Sequence, residues 1–341
     1  MKDTLQASNQ RLITYAVLSI VGNLLVLIMA VKRSSHMKPP ELLSVNLAVT
    51  DLGAAVFMYP LAVASAWSHR WLGGDRTCIY YGLVGFLFGV ASIMTLTVMA
   101  VVRFIVSLSF QSPKEKISRR TVKLLCLWTW FCALLWACFP LLGWGKYGPE
   151  PSGVSCTLAW GEMKEDGFYF VISLLTFNFL GPSVIISCCY FGLVVKLYIT
   201  YKSLDNNQQI PNIIKMHRRL LTIAVLISLG FIVAWAPYAL VSLWSVFRGS
   251  EFIPPEVSLL PCLFAKSSTV YNPLVYYVFS NTFKREVKQL CGRANACHAS
   301  NPGNNISANA IYLVCDARRL DKTENIGEIE VKKVQEDKSS L

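Results

Sequence analysis

The sequence predicts an all-α integral membrane protein: a seven-transmembrane helix bundle, a short amphipathic eighth helix and a disordered cytoplasmic tail. Three observations carry that expectation. The 341 residues are 54% hydrophobic and only 15% charged, with a mean hydropathy of +0.45, whereas soluble domains carry about 25% charged residues. Apolar runs long enough to cross a bilayer as helices recur seven times. The charges that remain gather between those runs, on one set of loops.

The runs are Thr4–Val31, Pro40–Trp67, Cys78–Ser107, Thr121–Gly143, Phe168–Tyr198, Leu220–Phe247 and Glu256–Phe279. No charged-then-apolar signal peptide with a small-residue cleavage site opens the chain. The first run ends in Lys32-Arg33 and reads as a stop-transfer anchor. After the seventh run, the basic segment Asn281–Leu290 reads as the amphipathic eighth helix. The expected division is 1–291 as the helix bundle with its eighth helix and 292–341 as the tail, whose polar, mixed-charge composition cannot form a packed core.

A net charge of +12 raises the question of nucleic acid, and the distribution of that charge answers it. Basic residues crowd Lys32–Lys38, Lys114–Lys123, Lys202–Arg219 and Lys284–Arg293, while the alternate loops carry only Arg70, Arg76, Lys146, Lys164 and Arg248. The positive-inside rule places the rich set in the cytoplasm and the N-terminus outside. Those loops read as anchors to membrane lipid and as a partner surface, with no nucleic acid. Neither zinc-like Cys/His spacing nor a phosphate-binding glycine loop occurs, so no catalytic or metal centre is expected and the chain is not read as an enzyme.

Six of the eleven cysteines, Cys126, Cys132, Cys138, Cys188, Cys189 and Cys262, fall in helices and read as small buried apolar residues. Cys78 opens the third helix and Cys156 lies in the loop after the fourth, both facing an oxidising compartment. A Cys78–Cys156 disulfide is therefore expected, tying that loop over the outer mouth of the bundle. Cys291 follows the eighth helix and reads as a palmitoylation site, with an unmodified thiol as the alternative.

Several helices carry residues that lipid disfavours: Asn23, Asn46, Asp51 and Asn272 are polar, and Pro182, Pro237 and Pro273 interrupt the backbone ladder. Such residues face a bundle interior and hydrogen-bond one another. Lys266 is the extreme case. It stands about ten residues into the last run, roughly 15 Å deep at about 1.5 Å per residue. An ammonium at that depth costs at least ~2.5–3.5 kcal/mol, so the residue needs a partner, a neutral state or a covalent use. A desolvated lysine is suited to a Schiff base with an aldehyde. A lysine paired structurally in a wet cavity meets the same constraint.

From Thr4 to Cys291 the chain resembles a class A G-protein-coupled receptor. The marks are Gly22-Asn23, Asn46 to Asp51, Cys78 with Cys156, Arg103 ending the third helix, Trp130, Pro182, Trp235-Ala-Pro237 and Asn272-Pro-Leu-Val-Tyr276. Within that class it resembles the opsins, because Lys266 stands in Ala265-Lys-Ser-Ser-Thr-Val-Tyr-Asn-Pro. Among opsins it is most similar to the neuropsin group, on Pro149–Trp160 and Ala234–Trp244.

The resemblance implies retinal, 11-cis or all-trans, bound as a Schiff base on Lys266, with light isomerising it. A protonated Schiff base needs a carboxylate. The third-helix counterion position is Tyr81, neutral near pH 7, so Glu150 becomes the counterion, directly or through water and Ser155. The alternative for Glu150 is a solvated loop acid. The implied pocket comprises Tyr81, Gly85, Phe86, Gly89, Asn178, Phe179, Phe231, Trp235, Tyr238 and Cys262. Large aromatics suit an apolar polyene. Trp235, one turn above the kink at Pro237, is the implied lever. Arg103, Asp51, Asn272, Pro273 and Tyr276 are the implied activation and coupling residues. A heterotrimeric G protein, arrestin and a receptor kinase are the implied partners, and the plasma membrane is the implied location.

Two departures stand out. The acid-Arg-aromatic triplet of the class reads Val102-Arg103-Phe104, and His217 replaces the acidic partner low in the sixth helix. Arg103 therefore lacks both carboxylates. Met58-Tyr59-Pro60 puts Tyr59 where neuropsins have a lysine, so their ultraviolet sensitivity does not transfer. The expected function is a light-activated receptor signalling through a G protein. The alternatives are a retinal photoisomerase with weak or no coupling, and a chemical-ligand receptor in which Lys266 is incidental.

Overall fold

The structure is a computed structural model describing residues 2–34, 37–107, 117–150, 153–159, 167–204, 211–248, 255–280 and 283–289. The expected palmitoylation site Cys291, the expected tail 292–341 and the side chain of His217 lie outside the described residues. Seven rods form the bundle: α1 (Lys2–Lys32), α2 (Glu41–Trp67), α3 (Asp75–Ser107), α4 (Arg119–Cys138), the continuous pair α5 (Phe168–Leu175) and α6 (Gly181–Leu204), α7 (Pro211–Arg248) and α8 (Pro255–Phe279). Among the described residues, six stretches are long and apolar enough to cross a membrane by length and composition. The bundle lies within Met1–Lys284. Residues 283–289 are helical, where the short eighth helix is expected.

Local chemistry sets the helix ends. Glu41 opens α2, and its carboxylate accepts from the Lys38 amide at 2.9 Å, beside the positive end of the helix dipole. Ser118 caps α4 by accepting from the Thr121 amide at 3.1 Å. Pro140 and Gly143, the latter at φ 93°, turn the end of α4 through a 3₁₀ segment, Phe139–Leu142. The apolar run there is thus not one helix to Gly143. Between α5 and α6 a π-turn, Thr176–Leu180, inserts an extra residue into the ladder. The sixth rod begins at Pro211 rather than Leu220, because a helix can continue into water where hydropathy no longer marks it. Proline suits its first position, where no amide bond is lost.

A two-stranded hairpin, β1 (Tyr147–Pro149) and β2 (Cys156–Leu158), pairs antiparallel with Pro149 opposite Cys156. It lies on α3 at Gly82, where a Cβ would stand 2.8 Å from Tyr147 Cδ1. The expected disulfide joins Cys78 to Cys156, with Cα atoms 5.3 Å apart.

The interior is apolar around Leu47, Leu96, Ile186, Ile227 and Phe231 and polar along a seam. Pro273 has no amide to give the Thr269 carbonyl, and Asn23 Nδ2 fills that vacancy at 3.0 Å. Asn46 donates to Thr95 at 2.8 Å and accepts from Trp130 Nε1 at 2.9 Å. Asn272 Nδ2 donates to Asp51 Oδ2 at 2.6 Å. The cysteines correct an expectation: Cys188 is exposed and Cys126, Cys132, Cys138 and Cys189 are only half-buried, leaving Cys262 alone among the six fully buried. A helix surface in a bilayer meets apolar lipid, so a thiol is tolerated there without core packing.

Candidate functional site

Helical spacing puts Cys262 and Lys266 on one face of α8, one turn apart. The Lys266 Nζ donates to Cys262 Sγ at 2.7 Å and lies 5.8 Å from the centre of the Tyr81 ring. Tyr59 of α2 bonds the backbone of the same turn: its hydroxyl donates to the Lys266 carbonyl at 2.8 Å.

Glu150 reaches this region from the hairpin. Its amide donates to the Ser155 carbonyl and its carbonyl accepts from the Gly153 amide, both at 2.9 Å. Gly153 takes φ 69°, a conformation glycine adopts without strain. The Glu150 side chain is 8% exposed, and its Oε2 is buried with no hydrogen-bond partner. Burial pushes its carboxyl above the usual carboxylate range, while the Lys266 charge and the Cys262 thiol pull it back. Glu150 is therefore not a solvated loop acid.

Both residues line a cavity of about 160 Å³ in the bundle. The sequence-predicted Tyr81, Gly85, Phe86 and Gly89 from α3 line it, as do Asn178, Phe179, Phe231, Trp235, Tyr238 and Cys262. Ser155 is not among the lining residues: it is buried on the hairpin, its carbonyl accepts from the Glu150 amide, and its side chain interacts with Tyr81 of the wall. Met58, Tyr59, Thr157, Ser268 and Thr269 also line the cavity. Thr157 follows the disulfide cysteine and its hydroxyl contacts that of Tyr238. Ser268 and Thr269 follow Lys266 by two and three residues, a helical adjacency that could have found them.

Trp235 lines the cavity from α7. It stacks on Phe231 at 5.5 Å, meets Tyr238 edge-on at 5.9 Å and donates from Nε1 to Ser268 at 3.2 Å. A Cβ at Gly89 would stand 2.8 Å from its Cη2 atom, so that glycine is what lets the indole approach α3.

At the far end of α3, Arg103 Nη1 donates to the Leu220 carbonyl of α7 at 3.2 Å, while its Nε is buried without a partner. Val102 packs among Leu43, Met99, Ile117 and Val122. Tyr276 meets Phe283 with ring centres 6.2 Å apart.

A family model described as 7 transmembrane receptor (rhodopsin family) matches residues 22–276. Opsin-5 of Mus musculus is 36% identical over 270 residues, covering 78% of this chain and 71% of that protein. Visual pigment-like receptor peropsin of Homo sapiens is 32% identical over 277 residues, covering 80% of this chain and 81% of that protein. The crystal structure of squid rhodopsin aligns with a TM-score of 0.75 at 27% identity, over 81% of this chain and 77% of that one.

Proposed function

Because the chain belongs to the rhodopsin family of seven-transmembrane receptors, and within it to the opsins, we propose that it is a photoreceptor that binds retinal on Lys266 and activates a heterotrimeric G protein. The observation that carries this reading is the Lys266 amine, half-buried on the wall of an aromatic-lined cavity beside a buried acid. The residues fit an apolar aldehyde. The walls include Phe86, Phe179, Phe231, Trp235 and Tyr238, and Glu150 beside the lysine has a buried carboxyl oxygen without a partner. When bound as a Schiff base, retinal supplies light absorption and a change of shape.

The protein's own residues do the rest. Glu150 supplies the negative charge facing Lys266, and Tyr81 beside it is neutral at physiological pH. Trp235 takes up the change of cavity shape and passes it to α7 beside Pro237. Arg103, Asp51, Asn272, Pro273 and Tyr276 belong to the coupling path. The G-protein surface lies on the basic loops, with the N-terminus outside, the C-terminus in the cytoplasm and the plasma membrane as the location. Arrestin and a receptor kinase are further partners of that surface, Cys291 is a palmitoylation site, and 292–341 is a tail separate from the 1–291 receptor domain.

The test is an absorption spectrum of purified protein after incubation with 11-cis or all-trans retinal, before and after illumination, beside Lys266→Ala. A light-shifted band lost in the variant supports the reading; no band with either isomer refutes it. Light-dependent nucleotide exchange on a G protein then separates this reading from a second one, a photoisomerase with weak or no coupling. The second is favoured by Val102 in place of an acid and by the Arg103 bond to a backbone carbonyl rather than a carboxylate.

A further inference from the structure

We infer that Cys262 is a positioning residue that couples Glu150 to Lys266, its thiol interacting with both the amine and the acid. The inference deepens the reading of Lys266 as the attachment residue and rests on it. Cys262 is fully buried, yet its sulfur is the hydrogen-bond acceptor of the lysine amine at 2.7 Å. Glu150, Cys262 and Lys266 line one cavity, and the Glu150 carboxyl interacts with the same thiol. A thiol has one weak donor and a weakly accepting sulfur. It can accept from the ammonium and donate to the carboxylate at once, which neither alanine nor valine can do.

The groups facing Lys266 are few. Cys262 comes from its own helix, Tyr81 from α3 presents its ring to the amine, and Glu150 comes from the hairpin. Tyr59 from α2 bonds the backbone carbonyl, not the amine. Glu150 is the acid in this set, and its Oε2 has no hydrogen-bond partner. The charge on Glu150 acts on the amine, and both groups also interact with the Cys262 thiol. Deleting the sulfur removes the acceptor of the lysine and the contact of the acid together, so the two losses are one event.

That identity is the testable content. In apoprotein, reductive methylation of Lys266 with formaldehyde and cyanoborohydride, read by mass spectrometry across pH, reports when the amine loses its proton. Cys262→Ala should lower the half-reaction pH by about one unit, a tenfold change in the amine-to-ammonium ratio. Cys262→Ser, which keeps a donor and an acceptor, should restore most of it. Glu150→Gln should shift it the same way, and Glu150→Gln with Cys262→Ala should go little further than the larger single change. An unmoved Cys262→Ala profile, no restoration by serine, or fully additive shifts would each overturn the coupling. In retinal-loaded protein the same variants should move the pH midpoint between visible and ultraviolet bands in the same order. If retinal fails to bind, the attachment reading falls while the methylation series still decides the role of Cys262.

Discussion

The Tyr59 hydroxyl lies 2.8 Å from the Lys266 carbonyl and 2.9 Å from the Thr269 hydroxyl, tying α2 to the turn of α8 that carries the lysine. Tyr59 is 2% exposed, so the bond forms away from water. Tyr59→Phe keeps the ring and deletes the bond. The expected loss is about 1 kcal/mol, read as a lower thermal midpoint of purified apoprotein. An unchanged midpoint would show that the ring alone holds the helices together.

Glu150 makes stability depend on pH in a direction opposite to a salt-bridged acid. Burial raises its carboxyl above the usual 4.5. The native protein keeps that proton in a range where the unfolded chain has released it. Stability from this group is therefore full below about 4.5 and falls as pH rises toward the raised native value. Glu150→Gln removes the titration. Thermal midpoints of apoprotein, measured from acid to neutral pH, should decline more steeply in wild type than in Glu150→Gln. Parallel curves would contradict the buried, raised carboxyl.

Gly89 and Trp235 form a fitted pair. Gly89→Ala drives a methyl to within 2.8 Å of the indole, an overpacking worth about 1–3 kcal/mol. It should reduce retinal loading. Adding Trp235→Phe, which shortens the opposing ring, should recover loading in part. Additive losses in the double variant would mean that the two residues act separately.

Val102 is the position where an acid would stand next to Arg103, whose described bond goes to the Leu220 carbonyl. The apolar packing around it changes the expected result. Val102→Glu puts a carboxyl among Leu43, Met99 and Val122, and a buried polar group without a partner costs about 1–3 kcal/mol. The variant should lose thermal stability first, whatever happens to basal nucleotide exchange. A variant as stable as wild type, with lowered basal exchange, would show that the new acid has reached Arg103 instead.

Much of this arrangement is legible in the chain because a bilayer punishes exceptions. Asn23, Asp51, Asn272 and Lys266 stand out against apolar neighbours, and each either hydrogen-bonds across the bundle or lines its cavity. The disulfide is legible because two cysteines fall on the same side of the expected topology. What hydropathy hides is which apolar face looks at lipid and which at protein. Cys188 and Cys262 are equally plain in sequence, yet one is exposed and the other accepts a bond from the lysine. The π-turn before Gly181 leaves no mark in composition, since it changes backbone spacing and not polarity. Ser155 lies buried on the hairpin with Glu150, and its side chain interacts with Tyr81.

The Cys78–Cys156 bond makes the two sides of the site unequal. Lys266 is carried by its own helix, but Glu150 sits on a hairpin whose second strand begins at Cys156. Disulfides of this kind close in an oxidising compartment. The amine's place is therefore set by helix packing alone, whereas the acid's place rests also on a covalent tie.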